Sequence, residues 1–158
     1  GELITTHLIK NVGKKVIFRP HNIYGPNMGF EHVIPNLVEK IVRTKNGIIK
    51  IQGDGLESRS FCFIDDATAA IELLLDKEAE GVFNIGVNQE TKVRDIVDLI
   101  AQNLKKPISI EDGPLQKGSV IRRVPDISKI KKLGFSPQWA LKDGLKKTTE
   151  WYVNEYEK

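Results

Sequence analysis

One polar segment, Arg19-Pro20-His21-Asn22-Ile23-Tyr24-Gly25-Pro26, carries residue types that could do chemistry. It follows a short apolar run, Val16-Ile17-Phe18, which predicts a buried strand, and its prolines, asparagine and glycine cannot continue that strand. In open α/β sheets, ligands bind beyond the carboxyl ends of the strands. The segment therefore offers hydrogen-bond donors to a polar, anionic ligand. Composition alone slightly favours the alternative, a rigid turn with solvated polar side chains.

The length and composition of the chain limit the classes of protein to which it can belong. The 158 residues are enough for one domain with a real core, and 40% hydrophobic with 28% charged residues is ordinary for a globular protein. The net charge of +3, from 24 basic and 21 acidic residues, is too small to indicate a nucleic-acid partner. No apolar run reaches the roughly 20 residues that span a membrane, so we expect no membrane partner. The single cysteine, Cys62, excludes a disulfide framework, and with no visible signal peptide we expect a cytoplasmic protein. No metal site is predicted.

Hydrophobic periodicity predicts alternating helices and strands, which is typical of an α/β or α+β protein. The predicted helices are Glu2–Val12, a helix from about Val33 to Val42, Asp65–Asp76, Val93–Leu104, Asp126–Leu133 and Leu141–Tyr156. The predicted strands are Lys14–Arg19, Ile48–Ile51, Arg59–Ile64, Val82–Ile85 and Ile108–Ile110.

Helix boundaries and loops add three expectations. Asp65 and Asp66 suit the amino end of one helix, Thr91 is predicted to cap the next, and Asp126 a short one. Pro35 is tolerated only in the first turn of its helix. The stretch Glu111–Pro125 has no periodicity, and long loops in compact domains are often functional or mobile.

Several motifs together resemble the extended short-chain dehydrogenase/reductase family, the nucleotide-sugar epimerases and dehydratases. They occur in the family's order and spacing across nearly the whole chain. The motifs are Arg19 to Pro26, Val33-Ile34-Pro35, Gly53-Asp54-Gly55 with Arg59-Ser60-Phe61 and Asp65-Asp66, Phe83-Asn84-Ile85-Gly86, Asp126-Ile127-Ser128-Lys129, and Leu133-Gly134-Phe135.

The resemblance implies an α/β fold with two parts. Residues 1–30 would be the last helix, strand and active-site loop of a Rossmann-type parallel sheet. Residues 31–158 would be mostly the small α/β substrate-binding domain, with some elements returning to the sheet. The sequence contains neither the Gly-rich dinucleotide turn nor the Tyr-x-x-x-Lys pair of the family. Because it also begins with Gly1 in a helical pattern, we expect a piece of a longer protein that has no catalytic residues of its own and is inactive alone.

The resemblance also assigns binding roles. NAD or NADP would be bound mainly by the missing half, with Pro20 and His21 beside the nicotinamide. The partner would be a nucleotide-diphosphate sugar. The residues that match substrate-binding positions are Asn22, His32, Val33, Lys50, Gln52, Arg59, Lys117 and Arg122. Tyr24 is interpreted as a packing residue, since Met28 and not lysine follows it four positions later.

The long loop departs from the family pattern. Where the family often has Arg-x-Gly-Asp against diphosphate and ribose, this chain has Gln116-Lys117-Gly118-Ser119. Lys117, Arg122 or Arg123 could supply the positive charge instead, although exposed basic clusters are usually just solvated.

These features favour the substrate-binding part of an NAD(P)-dependent nucleotide-sugar epimerase resembling UDP-glucose 4-epimerase. The alternatives are a 4,6-dehydratase or reductase of the same family, and a non-catalytic nucleotide-sugar binding module. Without the Rossmann half, the edge of strand Lys14–Arg19 and the apolar face of the first helix would be exposed. We therefore expect a homo-oligomer.

Overall fold

The structure is a computed structural model that describes residues 1–7, 13–115, 118 and 120–156. Its helices are α1 (Glu2–His7), α2 (Val33–Arg43), α3 (Ile64–Asp76), α4 (Val93–Leu104), α5 (Ser128–Lys131) and α6 (Leu141–Tyr156). Its strands are β1 (Val16–Pro20), β2 (Ile23–Tyr24), β3 (Ile48–Lys50), β4 (Ser58–Arg59), β5 (Cys62–Phe63), β6 (Gly81–Ile85), β7 (Thr91–Lys92), β8 (Ser109–Glu111) and β9 (Arg122–Arg123). Among these described residues, no helix combines the length and apolar character needed to cross a bilayer.

Short parallel strand pairs connect distant parts of the chain. β1 pairs with β6, β2 with β5, and β3 with β8, all in parallel. β4 lies between an antiparallel β7 and a parallel β9. Since parallel neighbours need crossover connections, the alternating helices and strands build an α/β fold, as predicted.

Two hydrophobic clusters form the core. The larger is built from the apolar faces of α2, α4 and α6, packed on β3 and on Phe61 and Phe63. The smaller joins α3 and β6 with Ile127, Ile130 and Phe135. The proposed division near residue 30 stays a prediction.

Tyr24 is a core residue, as interpreted from the sequence. It is 2% exposed, its hydroxyl donates to Leu141 O at 3.2 Å, and burial raises the pKa of that hydroxyl. The Tyr24 hydroxyl lies only 2.3 Å from where a Cβ on Gly144 would be, so α6 approaches this tyrosine closely because position 144 is glycine. This packing fixes β2, and with it the loop from β1 to β2, against the larger cluster.

The helix predictions are confirmed for α2, α4 and α6, with Pro35 in the first turn of α2. The first helix is described only as far as His7, so the rest of its predicted span lies outside the described residues. The predicted strand Arg59–Ile64 is wrong as one strand. It divides into β4 and β5, and Ile64 already begins α3, because this segment pairs with two different sheets.

Three other expectations need correction. Val16-Ile17-Phe18 is not a fully buried strand: Phe18 is 45% exposed, because β6 is the only strand that pairs with β1 among the described residues. Thr91 does not cap α4, since it lies in β7 and Lys92 occupies the cap position. The aperiodic stretch Glu111–Pro125 contains β9, whose two residues are too few to give a periodic pattern.

Candidate functional site

Five of the predicted substrate-binding residues line one cavity, with a volume of about 580 Å³. They come from three separate parts of the chain: the loop after β1, the start of α2, and the segment from the end of β3 to β4. The five residues are Asn22, His32, Val33, Gln52 and Arg59. Ligand pockets are commonly about 300–1,000 Å³, so the cavity has room for a small molecule with several polar groups.

The backbone of Asn22 is held by the segment that carries Arg59. Asn22 has φ 44°, a left-handed conformation that asparagine tolerates better than most residues. Its side-chain Nδ2 donates to Ser60 O at 2.9 Å, and its own carbonyl accepts from Cys62 N at 3.2 Å. The hydrogen bonds of Asn22 to Ser60 and Cys62, which follow Arg59 in the chain, therefore hold Asn22 and Arg59 at the same cavity.

Arg59, in β4, supplies a guanidinium group to the wall of the cavity. Its Nη1 donates to Ser58 O at 2.8 Å and to Ile121 O at 3.3 Å, so neutral carbonyls orient it. Arg59 forms no ion pair with Asp65 or Asp66, the two carboxylates that follow it in the sequence. A guanidinium presents five N–H donors in a planar fork, which leaves donors for a bidentate anion.

The amino end of α2 adds to the positive character of the cavity. His32 is the N-cap residue, has extended backbone, and makes no side-chain capping bond. The first turn holds no acidic residue, and Lys40 lines the cavity two turns later. Free amides and the helix dipole favour an anion at such an end. Glu31 and Glu57 also line the cavity, so its charge is mixed.

Lys50 and Arg122 lie outside this cavity, and each is already paired. Lys50 Nζ is 3.3 Å from Glu111 Oε1, its neighbour across β3 and β8. Arg122 Nε is 2.9 Å from Glu90 Oε2. Lys117 lies outside the described residues.

Strand alternation explains where Arg122 points. In the parallel pairing of β4 with β9, Arg122 is in register with Ser58, not with Arg59, and adjacent residues of a strand face opposite sides. The Ser58 hydroxyl donates to Glu90, which also accepts from Arg122. The hydrogen bond from Ser58, followed by the bond and charge of Arg122, lowers the pKa of Glu90. Arg122 therefore belongs to a surface cluster on the other side of β4.

Pro20 and His21 lie at the carboxyl end of β1. Pro20 is in register with Ile85, and His21 N donates to Ile85 O at 2.9 Å. The ring Nε2 of His21 is 3.4 Å from Asn84 Oδ1, and Asn84 Nδ2 donates to Asp126 O. This is the edge of a parallel pair where ligands are expected. Arg19, in contrast, is occupied by a two-pronged contact with Glu2 at 2.6 Å.

The sequence reasoning missed eight of the residues that line the cavity, and two simple patterns would have found four of them. Asn36 and Lys40 follow His32 at steps of four, which places all three on one face of α2. Glu57 precedes Arg59 by two residues and therefore faces the same side of the extended segment. Phe61 continues that series.

A comparison with protein-family models shows the family of this chain. The model of the NAD dependent epimerase/dehydratase family matches residues 1–86, more than half of the chain. The chain belongs to the NAD-dependent epimerase/dehydratase family. Residues 1–86 of this family member include Asn22, the amino end of α2 and Arg59, which are the main positive and amide groups of the cavity.

Curated relatives extend the similarity beyond residue 86. A trifunctional UDP-glucose 4,6-dehydratase/UDP-4-keto-6-deoxy-D-glucose 3,5-epimerase/UDP-4-keto-L-rhamnose-reductase of Arabidopsis thaliana is 33% identical over 161 residues, covering 99% of this chain and 24% of that protein. GDP-L-fucose synthase 1 of the same plant is 33% identical over 143 residues, covering 85% of this chain and 44% of that protein. The chain thus spans less than half the length of these relatives.

Solved structures share the fold. UDP-glucose 4-epimerase of Thermotoga maritima, solved with UDP-glucose, superimposes with a TM-score of 0.84 at 29% identity, over 98% of this chain and 51% of that one. UDP-glucuronic acid 4-epimerase of Bacillus cereus, solved with UDP-glucuronic acid and NAD, gives a TM-score of 0.81 at 28% identity, over 89% of this chain and 46% of that one. Both are Rossmann-type enzymes of the extended family, and this chain has the same α/β architecture over roughly half of their length.

Proposed function

We propose that this chain provides the nucleotide-sugar binding part of an NAD(P)-dependent nucleotide-sugar epimerase. The observation that carries the proposal is the cavity that joins Asn22, Arg59 and the amino end of α2. An amide, a guanidinium with uncommitted donors and free helix amides form a set that suits a diphosphate. Gln52 lines the same cavity beyond β3 and would hydrogen-bond the base.

The cofactor in this proposal is NAD or NADP. The residues present fit only its nicotinamide end, because Pro20 and His21 end a parallel strand and the sequence has no Gly-x-Gly-x-x-Gly turn for the pyrophosphate. When bound, the cofactor would accept a hydride from a sugar carbon and return it. His21 would contribute by shaping the wall beside the ring, held by the bond from its backbone N–H to Ile85 O.

An epimerase is favoured over the other activities of the family. Both solved relatives described above, at 28% and 29% identity, are 4-epimerases. The 33% identity to the trifunctional plant enzyme keeps a 4,6-dehydratase or reductase as the second candidate. The two reaction types differ in whether water leaves the sugar before the hydride returns.

The proposal is tested by calorimetric titration of the 158-residue chain with UDP-glucose, UDP and UMP. We expect UDP-glucose and UDP to bind and UMP to bind at least about tenfold more weakly, since it lacks the second phosphate that Arg59 and α2 would hold. In the presence of NAD we expect no turnover of UDP-glucose by this chain, because the sequence has no Tyr-x-x-x-Lys pair. No binding of any of the three ligands would reject the proposal, and turnover would reject the assignment of chemistry to residues absent from this sequence.

We also propose that the chain self-associates. Leu3 and Ile4 of α1 are 75% and 56% exposed, and Phe18 of β1 is 45% exposed. Such apolar surface beside an open strand edge tends to pair with another chain. Sedimentation velocity at rising protein concentration should show dimers or larger species, and replacing Leu3 and Phe18 by serine should reduce them. A single monomeric species at all concentrations would contradict this.

A further inference from the structure

One oxygen of a buried carboxylate in the cavity wall has no hydrogen-bond partner among the described residues. Glu57 is only 9% exposed, and its Oε2 is buried without a hydrogen-bond partner in the described part of the chain. Removing a carboxylate oxygen from water without a compensating donor is costly. Such a group in a cavity wall is accounted for most simply by a donor that arrives with the ligand.

The two described cations that line this cavity do not pair with the carboxylate of Glu57. Arg59 and Lys40 line the same cavity, yet neither is within ion-pair distance of Glu57. Arg59 is directed to main-chain carbonyls, and Lys40 Nζ donates to Lys50 O at 2.9 Å. The cations and the carboxylate are thus held apart, so that an anionic part and a donor part of one ligand could be bound separately.

The position of Glu57 shows which part of a ligand it would meet. A Cβ placed on Gly53 would lie 2.6 Å from Glu57 Oε1, so the carboxylate is packed against the turn that follows β3. Glu57 lies in the segment directly before β4. Its backbone carbonyl accepts a hydrogen bond from Val93 N at 3.1 Å, which holds Glu57 against the first residue of α4. The carboxylate is therefore packed beside the turn that follows Gln52, and both Gln52 and Glu57 line the cavity.

We propose that Glu57 is a specificity-determining residue that accepts a hydrogen bond from the nucleoside of the ligand. This rests on the proposed function, in which Gln52 and the end of β3 face the nucleoside while Arg59 and α2 face the diphosphate. Two donors have the required chemistry: the adjacent N1–H and N2–H of guanine, and the hydroxyls of the ribose. The N3–H of uracil suits a carboxylate less well, because carbonyl oxygens flank it on both sides and repel the second carboxylate oxygen.

The test measures the binding of four probes to the 158-residue chain and to its Glu57→Ala and Glu57→Gln variants. The probes are GDP, UDP, 2′-deoxy-UDP and inorganic pyrophosphate, which has no nucleoside. Glu57→Ala loses the charge-assisted hydrogen bond, so its affinity for the nucleotide that makes this bond should fall by about tenfold or more. Glu57→Gln keeps one acceptor oxygen and should lose less affinity. Pyrophosphate should bind at least as well as to the parent chain, because a negative charge has been removed from the cavity.

The pattern of losses identifies the donor. If the variants lose affinity for GDP but keep their affinity for UDP, the donor is guanine. If the variants lose affinity for GDP and UDP equally, and the parent chain binds 2′-deoxy-UDP weakly, the donor is a ribose hydroxyl. Binding of GDP and UDP that is unchanged within about twofold in both variants would overturn the role of Glu57 and leave the proposed function intact. A parent chain that binds none of the nucleotides would overturn both. Equal weakening of all four probes, pyrophosphate included, would show a structural role only and would also overturn the inference, so melting temperatures of the variants are measured alongside.

Discussion

Replacing Arg59 by alanine is expected to weaken UDP binding by about 10- to 100-fold, the loss that follows from removing a charge-assisted, two-pronged hydrogen bond. Arg59 lines the cavity with Asn22, and only main-chain carbonyls hold its guanidinium. Arg59→Lys keeps the charge but not the planar fork, so an intermediate loss is expected. Calorimetric dissociation constants for UDP and pyrophosphate measure both effects, and both ligands should be affected.

Arg122→Ala is the matched control. Arg122 directly precedes Arg123, the residue of β9 that pairs with Arg59. The guanidinium of Arg122, however, is paired with Glu90 outside the cavity. Its removal should leave the UDP affinity within about twofold. A large loss for Arg122→Ala together with no loss for Arg59→Ala would mean that the diphosphate binds on the other side of β4, and the proposed site would be wrong.

The sequence predicted the elements whose apolar pattern spans several turns. Helices α2, α4 and α6 each present a repeated apolar face, so their periodicity was readable without the structure. Strands of two residues, such as β4, β5 and β9, have no periodicity to read, and their ends are decided by which sheet they join. This is why one predicted strand became two and why β9 was missed.

The candidate site was predictable to a similar extent. Asn22, His32 and Arg59 were selected from motifs and lie on one cavity. Arg122 and Lys50 were selected from the same resemblance, but strand register gives each an acidic neighbour outside the cavity. Register between segments about 60 residues apart is a tertiary property, and no local pattern in this sequence indicates it. Asn36 and Glu57 were accessible to simple spacing arguments from residues already selected.

The second large effect concerns Asp66, which was interpreted as a helix cap and is not one. Helix α3 begins at Ile64 with Phe63 at its N-cap position, and Asp66 turns inward, where it is 3% exposed. Its two carboxylate oxygens accept from the backbone N–H groups of Gln138, at 2.7 Å, and Trp139, at 3.1 Å. The carboxylate thus fixes the segment that leads into α6, and α6 supplies much of the larger core cluster.

Asp66→Ala should lower the free energy of unfolding by about 2–6 kcal/mol, because two part-buried amides lose their acceptor at roughly 1–3 kcal/mol each. Urea denaturation followed by Trp fluorescence measures it, since Trp139 is at the affected segment. Asp66→Asn keeps one acceptor oxygen and should cost less. Asp65→Ala, the exposed neighbour in the same helical turn, should change stability by no more than about 0.5 kcal/mol. Equal effects at positions 65 and 66 would mean that both act only through the dipole of α3, and that the carboxylate of Asp66 does not hold the start of α6 in place.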